Sequence, residues 1–173
     1  MHMILRTLWA FFCKRFLTPI PFDAQSSVTM RVLPTDLDLL WHVNNGVYFS
    51  YMDFGRWDLI FRNGMFDVAR KNDIFSVVAS ESMRFRKSLH LWDKFTLKTK
   101  VIGRDDKYFF INQHFYSQKG ELMAVGFVKI RFVHKKDGVI SPQRVLDLCH
   151  ADLALVSKEL SDEAFRFEQN FLK

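Results

Sequence analysis

The sequence predicts an α+β domain in which an antiparallel sheet of about five strands wraps around one long helix. Apolar residues recur at the spacing of one helical face over residues 45–63, which indicates the helix. Strand-like segments with short connections follow it, which favours an antiparallel meander. The chain has 173 residues, 49% of them hydrophobic, so a single domain can bury such a helix.

The first strand is predicted at residues 27–33, where Pro34 ends it. The long helix should end at Gly64, because glycine readily takes the left-handed conformation that closes a helix. At 1.5 Å per residue a helix of about 19 residues is ~28 Å long, about the width of a curved sheet. The remaining strands are predicted at residues 74–87, 94–102, 107–117 and 122–134, with turns at 119–120 and 137–138.

Two further segments flank the sheet-and-helix domain, which is expected to span residues 23–140. Residues 141–173 should form a C-terminal helical extension, with one helix from Ser141 to about Lys158 and a second opened by Ser161. Residues 1–22 form an apolar, amphipathic segment that basic residues interrupt, so its apolar run is too short to span a bilayer. Residues 1–17 either contact a membrane peripherally or pack on protein.

Composition excludes several classes of site and partner. The net charge of +6 favours anionic partners, but no nucleic-acid-binding module accompanies it. Cys13 and Cys149 are the two cysteines, which suits a reducing compartment, and a cytoplasmic protein is expected. The histidines lack metal-ligand spacing, so no metal site is predicted.

The segment 38–48 reads Asp-Leu-Leu-Trp-His-Val-Asn-Asn-Gly-Val-Tyr and carries the chemistry. Asn44 or Asn45 should cap the long helix, whose first backbone N–H groups have no partner within the helix. Such a helix end attracts negative charge, including charge that develops on a carbonyl oxygen. A carboxylate beside it, Asp38, would complete half of an acyl-transfer site.

This segment resembles the loop of the hotdog-fold acyl-CoA thioesterases of the 4-hydroxybenzoyl-CoA thioesterase-like superfamily. The similarity is to the long-chain acyl-CoA thioesterase branch, whose loop reads Asp, three residues, then His-Val-Asn-Asn. The longer run of residues 31–42 also resembles eukaryotic members that carry a hydrophobic N-terminal anchor. The resemblance covers about residues 27–140 and implies the hotdog fold.

The resemblance implies a set of catalytic residues. Asp38 would be the general base or the nucleophile, with Asp36 as the alternative whose spacing fits less well. His42 would orient Asp38, contact the substrate or hold the loop. The backbone N–H of Asn45 or Gly46 would polarise the thioester carbonyl.

Substrate contacts are expected at Asn44 and at Tyr48, for which core packing is the alternative. Arg84, Arg86 and Lys87 would bind the coenzyme A phosphates or form a solvated strand end. Glu81 is expected to be solvated or paired.

The implied substrate is an acyl-CoA or acyl-carrier-protein thioester, with coenzyme A present as part of the substrate and no other cofactor. The implied assembly is a homodimer or a dimer of dimers. The alternative function is a non-catalytic acyl-CoA or lipid-binding protein of the same fold.

Overall fold

A computed structural model describes residues 17–151, which form a six-stranded antiparallel sheet and three helices. The strands are β1 (Ser26–Arg31), β2 (Ile74–Phe85), β3 (Lys94–Arg104), β4 (Phe109–Ser117), β5 (Leu122–His134) and β6 (Gly138–Ile140). The helices are α1 (Asn45–Arg62), α2 (Met65–Lys71) and α3 (Pro142–Leu148). The sheet order is β1-β3-β4-β5-β2, and β6 pairs with the end of β5. The α+β class and the single long helix are therefore confirmed.

The long helix α1 approaches the sheet closely. A Cβ built at Gly55 would lie 2.6 Å from the Thr99 hydroxyl oxygen and 2.7 Å from a Leu97 methyl carbon. The side chains between α1 and the sheet are fully buried, Tyr51, Phe95 and Phe115 among them. The core thus lies between the helix and the curved sheet, and glycine at position 55 allows their contact.

A polar network crosses this interface at Arg56. Its guanidinium donates to Glu81 Oε1 at 2.6 Å and to Gln113 Oε1 at 3.0 Å, and it also pairs with Asp53. Burial is the largest influence on Glu81 and raises the pKa of its carboxyl, while Arg56 acts in the opposite direction. Glu81 is therefore paired with Arg56, and pairing was one of the two expectations for this residue.

The helical predictions were met in part. α1 ends within a residue of the expected position, and Gly64 follows it with a φ of 78°. The helix expected to reach Lys158 instead ends at Leu148, because His150 adopts a left-handed φ of 49° and the N–H of Ala151 returns to the carbonyl of Leu146. Helix α2 was not predicted.

The loops that carry the sequence motif lie at one end of the sheet. β1 and β2 end there, α1, β3 and β5 begin there, and the turn between β4 and β5 lies there. We call this the loop end.

No helix within residues 17–151 is both long and apolar enough to cross a membrane. The N-terminal segment of residues 1–16 and the helix expected to open at Ser161 lie outside the described residues.

Candidate active site

Asp36 connects the loop of residues 32–44, which we call the motif loop, to the long helix. Its carboxylate is 0% exposed, and Oδ2 accepts hydrogen bonds from the backbone N–H of Leu33 and from the Tyr51 hydroxyl, both at 2.7 Å. Its carbonyl accepts the N–H of Asn44 at 2.9 Å. Tyr51 lies on α1, so these bonds join the loop to the helix it precedes. Asp36 is thus committed to holding the loop.

Asp38 lies half-buried in a tight turn of the same loop. Its Oδ1 accepts the backbone N–H groups of Leu40 at 2.8 Å and His42 at 3.3 Å, and its own N–H donates to the His42 carbonyl at 2.8 Å. Within residues 17–151, Oδ2 makes no hydrogen bond. One oxygen therefore supports the turn, and the other keeps its acceptor capacity.

The hydrogen bonds at the N-terminus of α1 distinguish the two expected oxyanion donors, the N–H groups of Asn45 and Gly46. Asn44 is the cap residue, and its side-chain oxygen accepts the N–H of Gly46 at 2.8 Å. Its carbonyl accepts the N–H of Val47 at 2.9 Å. The N–H of Asn45 has no partner in the part of the chain that the structure describes. The geometry therefore favours Asn45 over Gly46 as the donor to a substrate oxygen.

Tyr48 lies one turn into α1 and is only 2% exposed. Its ring packs edge-on against Phe85 and Phe115, and its hydroxyl oxygen accepts the N–H of Leu89 at 3.3 Å. Burial raises the pKa of this phenol. Tyr48 is thus mainly a core residue that joins α1 to the segment after β2, although it also reaches the wall of a cleft.

His42 connects the motif loop to the segment that follows β2. It forms an antiparallel bridge with His90, and the two rings meet edge to face with centroids 4.9 Å apart. The N–H of Val43 donates to the Leu89 carbonyl at 3.0 Å beside this bridge. His42 therefore holds the two loops together, which is one of the roles expected for it.

A cleft of about 310 Å³ brings most of the predicted residues together, and we call it the Asp38 cleft. It is lined by Asp38, Leu40, His42, Val43, Asn45, Tyr48, Phe85, Arg86, Lys87 and Ser88. Asn44 and Gly46 belong to the adjoining helix cap and do not line it, and neither does the exposed Arg84. The cleft thus joins a carboxylate, a helix N-terminus and two cations.

A second cleft of about 620 Å³ adjoins the first, and we call it the Lys119 cleft. It shares Lys87 and Ser88 with the Asp38 cleft and adds the cations Lys94 and Lys119, which sequence reasoning missed. Lys87 donates to Glu121 at 2.5 Å. Lys94 and Lys119 are far apart in the chain, and they meet because β3 pairs with β4, Phe95 lying opposite Ser117.

Comparisons with known proteins identify the family and the fold. A sequence profile described as the thioesterase-like superfamily matches residues 32–171. The chain is 34% identical to Protein THEM6 of Danio rerio over 148 residues, which cover 84% of this chain and 71% of that protein. It is 37% identical to Protein THEM6 of Xenopus laevis over 93 residues, which cover 54% of this chain and 45% of the frog protein. The matched part of the chain therefore spans between 45% and 71% of the length of these relatives.

A solved structure confirms the fold. The probable thioesterase YbaW of Escherichia coli superposes with a TM-score of 0.67 at 19% identity, covering 70% of this chain and 94% of that one. At this identity the likeness concerns the fold, which is the expected hotdog fold of a curled antiparallel sheet around a helix. Since the profile covers most of the chain and the zebrafish relative aligns along most of its length, the chain belongs to the thioesterase-like superfamily.

Proposed function

We propose that this protein hydrolyses acyl-CoA or acyl-carrier-protein thioesters to a free acid and a thiol. The observation that carries the proposal is the Asp38 cleft, in which a carboxylate and the open N–H of Asn45 at a helix N-terminus line one space. Thioester hydrolysis needs a general base or nucleophile and a donor to the carbonyl oxygen. Asp38 and the N–H of Asn45 supply these two groups, and we propose that coenzyme A takes part only as a portion of the substrate, with no other cofactor.

In the proposed reaction the thioester carbonyl oxygen accepts the N–H of Asn45, where the α1 dipole also stabilises negative charge. Asp38 takes a proton from the attacking water, the carbon–oxygen bond forms, and the carbon–sulfur bond then breaks to release the thiolate. As the alternative, Asp38 attacks the carbonyl carbon itself, the carbon–sulfur bond breaks to release the thiolate, and water then hydrolyses the resulting anhydride to the free acid and the Asp38 carboxylate. His42 supports the turn that holds Asp38.

The two clefts suggest how coenzyme A is bound. Its phosphates are anions, and Arg86, Lys87, Lys94 and Lys119 supply cations along the joined clefts. Replacing Lys94 and Lys119 with alanine should raise KM for an acyl-CoA and leave KM for the matching pantetheine thioester, which lacks the nucleotide, unchanged. An equal effect on both substrates would contradict this assignment.

We propose further that the protein is a homodimer, alone or as a dimer of dimers, joined through β2. Only one edge of this 12-residue strand is paired within residues 17–151, and Phe75 and Val78 are exposed on it. A long unpaired edge with apolar side chains is a ready surface for strand pairing. The substitution Val78→Glu should convert the dimer to a monomer in size-exclusion chromatography with light scattering. An unchanged mass would reject this interface.

The decisive experiment for the proposed activity is a thiol-release assay on a panel of acyl-CoA substrates of different chain length. Asp38→Asn keeps an oxygen that can accept the two turn N–H groups but removes the base, so it should lower kcat by about 10²–10⁴-fold. Asp105→Asn is the matched control. Asp105 Oδ1 also accepts two backbone N–H groups in a turn, both at 2.7 Å, but at the opposite end of the sheet. Equal activity in both variants would reject the role of Asp38.

The second candidate is a non-catalytic acyl-CoA or lipid-binding protein. The observation that favours it is the commitment of Asp38 Oδ1 to the turn, which a purely structural aspartate would also show. Saturable acyl-CoA binding by calorimetry, without release of thiol across the panel, would select it. For either function we propose a cytoplasmic location, since the cysteine usage suits a reducing compartment.

A further inference from the structure

Two loop tips at the loop end of the sheet expose large apolar side chains. Leu39 is 98% exposed, Leu40 73% and Trp41 70% on the motif loop, and Trp92 is 53% exposed on the loop before β3. The bridge between His42 and His90 holds the two loops side by side. We call these four side chains the apolar tips. A contiguous patch of exposed apolar side chains on a folded domain marks a surface that contacts a protein, a membrane or a ligand.

The backbone keeps both tryptophans in an uncommon conformation. Trp41 has a φ of 61° and Trp92 a φ of 67°, a left-handed region that bulky residues rarely adopt. Such conformations persist where the surrounding structure enforces them, and they concentrate at functional sites. The backbone N–H of each tryptophan is hydrogen-bonded here: that of Trp41 donates to the Asp38 carbonyl at 3.1 Å and that of Trp92 to the Val32 carbonyl at 3.2 Å.

Cations accompany the apolar tips. Arg86, Lys87, Lys94 and Lys119 lie at the same end of the sheet and line the two clefts there. Glu121 pairs with Lys87 and also interacts electrostatically with Lys119, while Arg86 and Lys94 form no ion pair with an acidic side chain in the described part of the chain. Aromatic and leucine side chains surrounded by lysine and arginine are the composition of surfaces that enter a bilayer interface and bind anionic headgroups.

We propose that the apolar tips insert into the interface of an anionic lipid bilayer and bring the loop end onto the membrane. A side chain as exposed as Leu39 projects from the surface, and a fluid bilayer accepts it without a preformed pocket. A second copy of the chain would have to provide such a pocket. Leu40 belongs to the tips and also lines the Asp38 cleft, so the docked protein presents the mouth of that cleft to the lipid. The docking itself does not depend on the proposed hydrolysis.

The test is sedimentation of the full-length protein with phosphatidylcholine vesicles that contain or lack phosphatidylserine. The double variant Leu39→Ser/Trp92→Ser, whose residues line neither cleft, should bind the anionic vesicles at least about 10-fold more weakly. Val139→Ser is the matched control, because Val139 is also 53% exposed but lies on β6 at the opposite end of the sheet. It should bind like the wild type. Residues 1–17 are the same in all three proteins and contribute equally.

A second measurement reports insertion directly. In a Trp9→Phe protein, lipids brominated on the acyl chain should quench tryptophan fluorescence, and the added pair Trp41→Phe/Trp92→Phe should lose most of that quenching, whereas Trp57→Phe should retain it. Hydrolysis of a short-chain acyl-CoA without vesicles should be equal in the wild type and in Leu39→Ser/Trp92→Ser, so failure of docking is distinguishable from failure of the proposed activity. Vesicle binding unaffected by the double variant overturns the proposal. So does a fall in oligomeric mass in that variant without lipid, which would assign the tips to a second copy.

Discussion

The same substitution, aspartate to asparagine, should affect different properties at Asp36 and Asp38, the two carboxylates of the motif loop. Asp36 is fully buried and accepts hydrogen bonds from Leu33 and Tyr51, whereas Asp38 is half-buried and lines the cleft. Changing each to asparagine removes the charge and keeps one acceptor oxygen. We therefore expect Asp36→Asn to lower stability and Asp38→Asn to lower activity.

The size of the stability effect follows from the bonds to Asp36. A hydrogen bond to a charged group contributes about 1.5–3 kcal/mol and a neutral one about 0.5–1.5 kcal/mol. In Asp36→Asn, each of the two hydrogen bonds to residue 36 changes from the charged to the neutral kind and loses the difference between these values. The substitution should therefore reduce the free energy of unfolding by about 2–3 kcal/mol. In a chain of this length that corresponds to a fall in Tm of about 4–12 °C. Asp38→Asn keeps its turn bonds and should change stability by less than about 1 kcal/mol.

Thermal unfolding followed by circular dichroism and the thiol-release assay measure the two effects, with both variants at the same protein concentration because dimerisation contributes to stability. Below its Tm, Asp36→Asn should retain hydrolysis within a few-fold of the wild type. The reasoning would be refuted if Asp36→Asn abolished hydrolysis at unchanged Tm. It would also be refuted if Asp38→Asn lost several kcal/mol of stability while its folded fraction remained active.

Three further predictions concern the packing and the titratable groups. Gly55→Ala should reduce the free energy of unfolding in urea by about 1–3 kcal/mol, despite the helix propensity of alanine, because its Cβ would lie 2.6 Å from the Thr99 hydroxyl. Burial raises the pKa of Asp58 above its usual 3.8, so the folded protein binds that proton more tightly than the unfolded chain does. The contribution of Asp58 to the free energy of unfolding should therefore fall as the pH rises above 3.8, so the wild type should lose stability relative to Asp58→Asn over this range. Burial also raises the pKa of the Cys149 thiol from 9.0 to about 11, so in a Cys13→Ser protein iodoacetamide should modify Cys149 about 100-fold more slowly when folded than in urea near pH ~8.

The sequence predicted the long elements well because their patterns repeat several times. α1 offers five turns of one apolar face, and β5 occupies the range expected for it, Leu122–His134. Helix α2 was missed since its seven residues give only two turns and bury a single side chain, Met65. No periodic pattern can be read from so short a segment.

The end of α3 was mispredicted for a different reason. Apolar residues continue in the sequence beyond Leu148, and that periodicity extended the predicted helix. The helix nevertheless stops because His150 takes the left-handed position that glycine usually occupies at a helix end. A histidine there carries no recognisable stop signal in the sequence.

The candidate site was predictable to the extent that it is local. Asp38, His42 and Asn45 are close together in the chain, so the motif could identify them. Lys94 and Lys119 could not be identified in that way, because the pairing of β3 with β4 brings them together. The choice between Asn45 and Gly46 also needed coordinates, since it depends on which N–H the Asn44 side chain accepts.

The turn role and the catalytic role of Asp38 are compatible, because they use different oxygens. Oδ1 accepts the N–H groups of Leu40 and His42, and these bonds hold the carboxylate beside the N-terminus of α1. Fixing a reacting group in position lowers the entropic cost of reaching the transition state. Asparagine at position 38 would keep the hydrogen bonds from Leu40 and His42 and remove the general base, whereas alanine would remove both. A loss of hydrolysis in Asp38→Ala alone would therefore carry no information about chemistry, and Asp38→Asn is the substitution that separates the two roles.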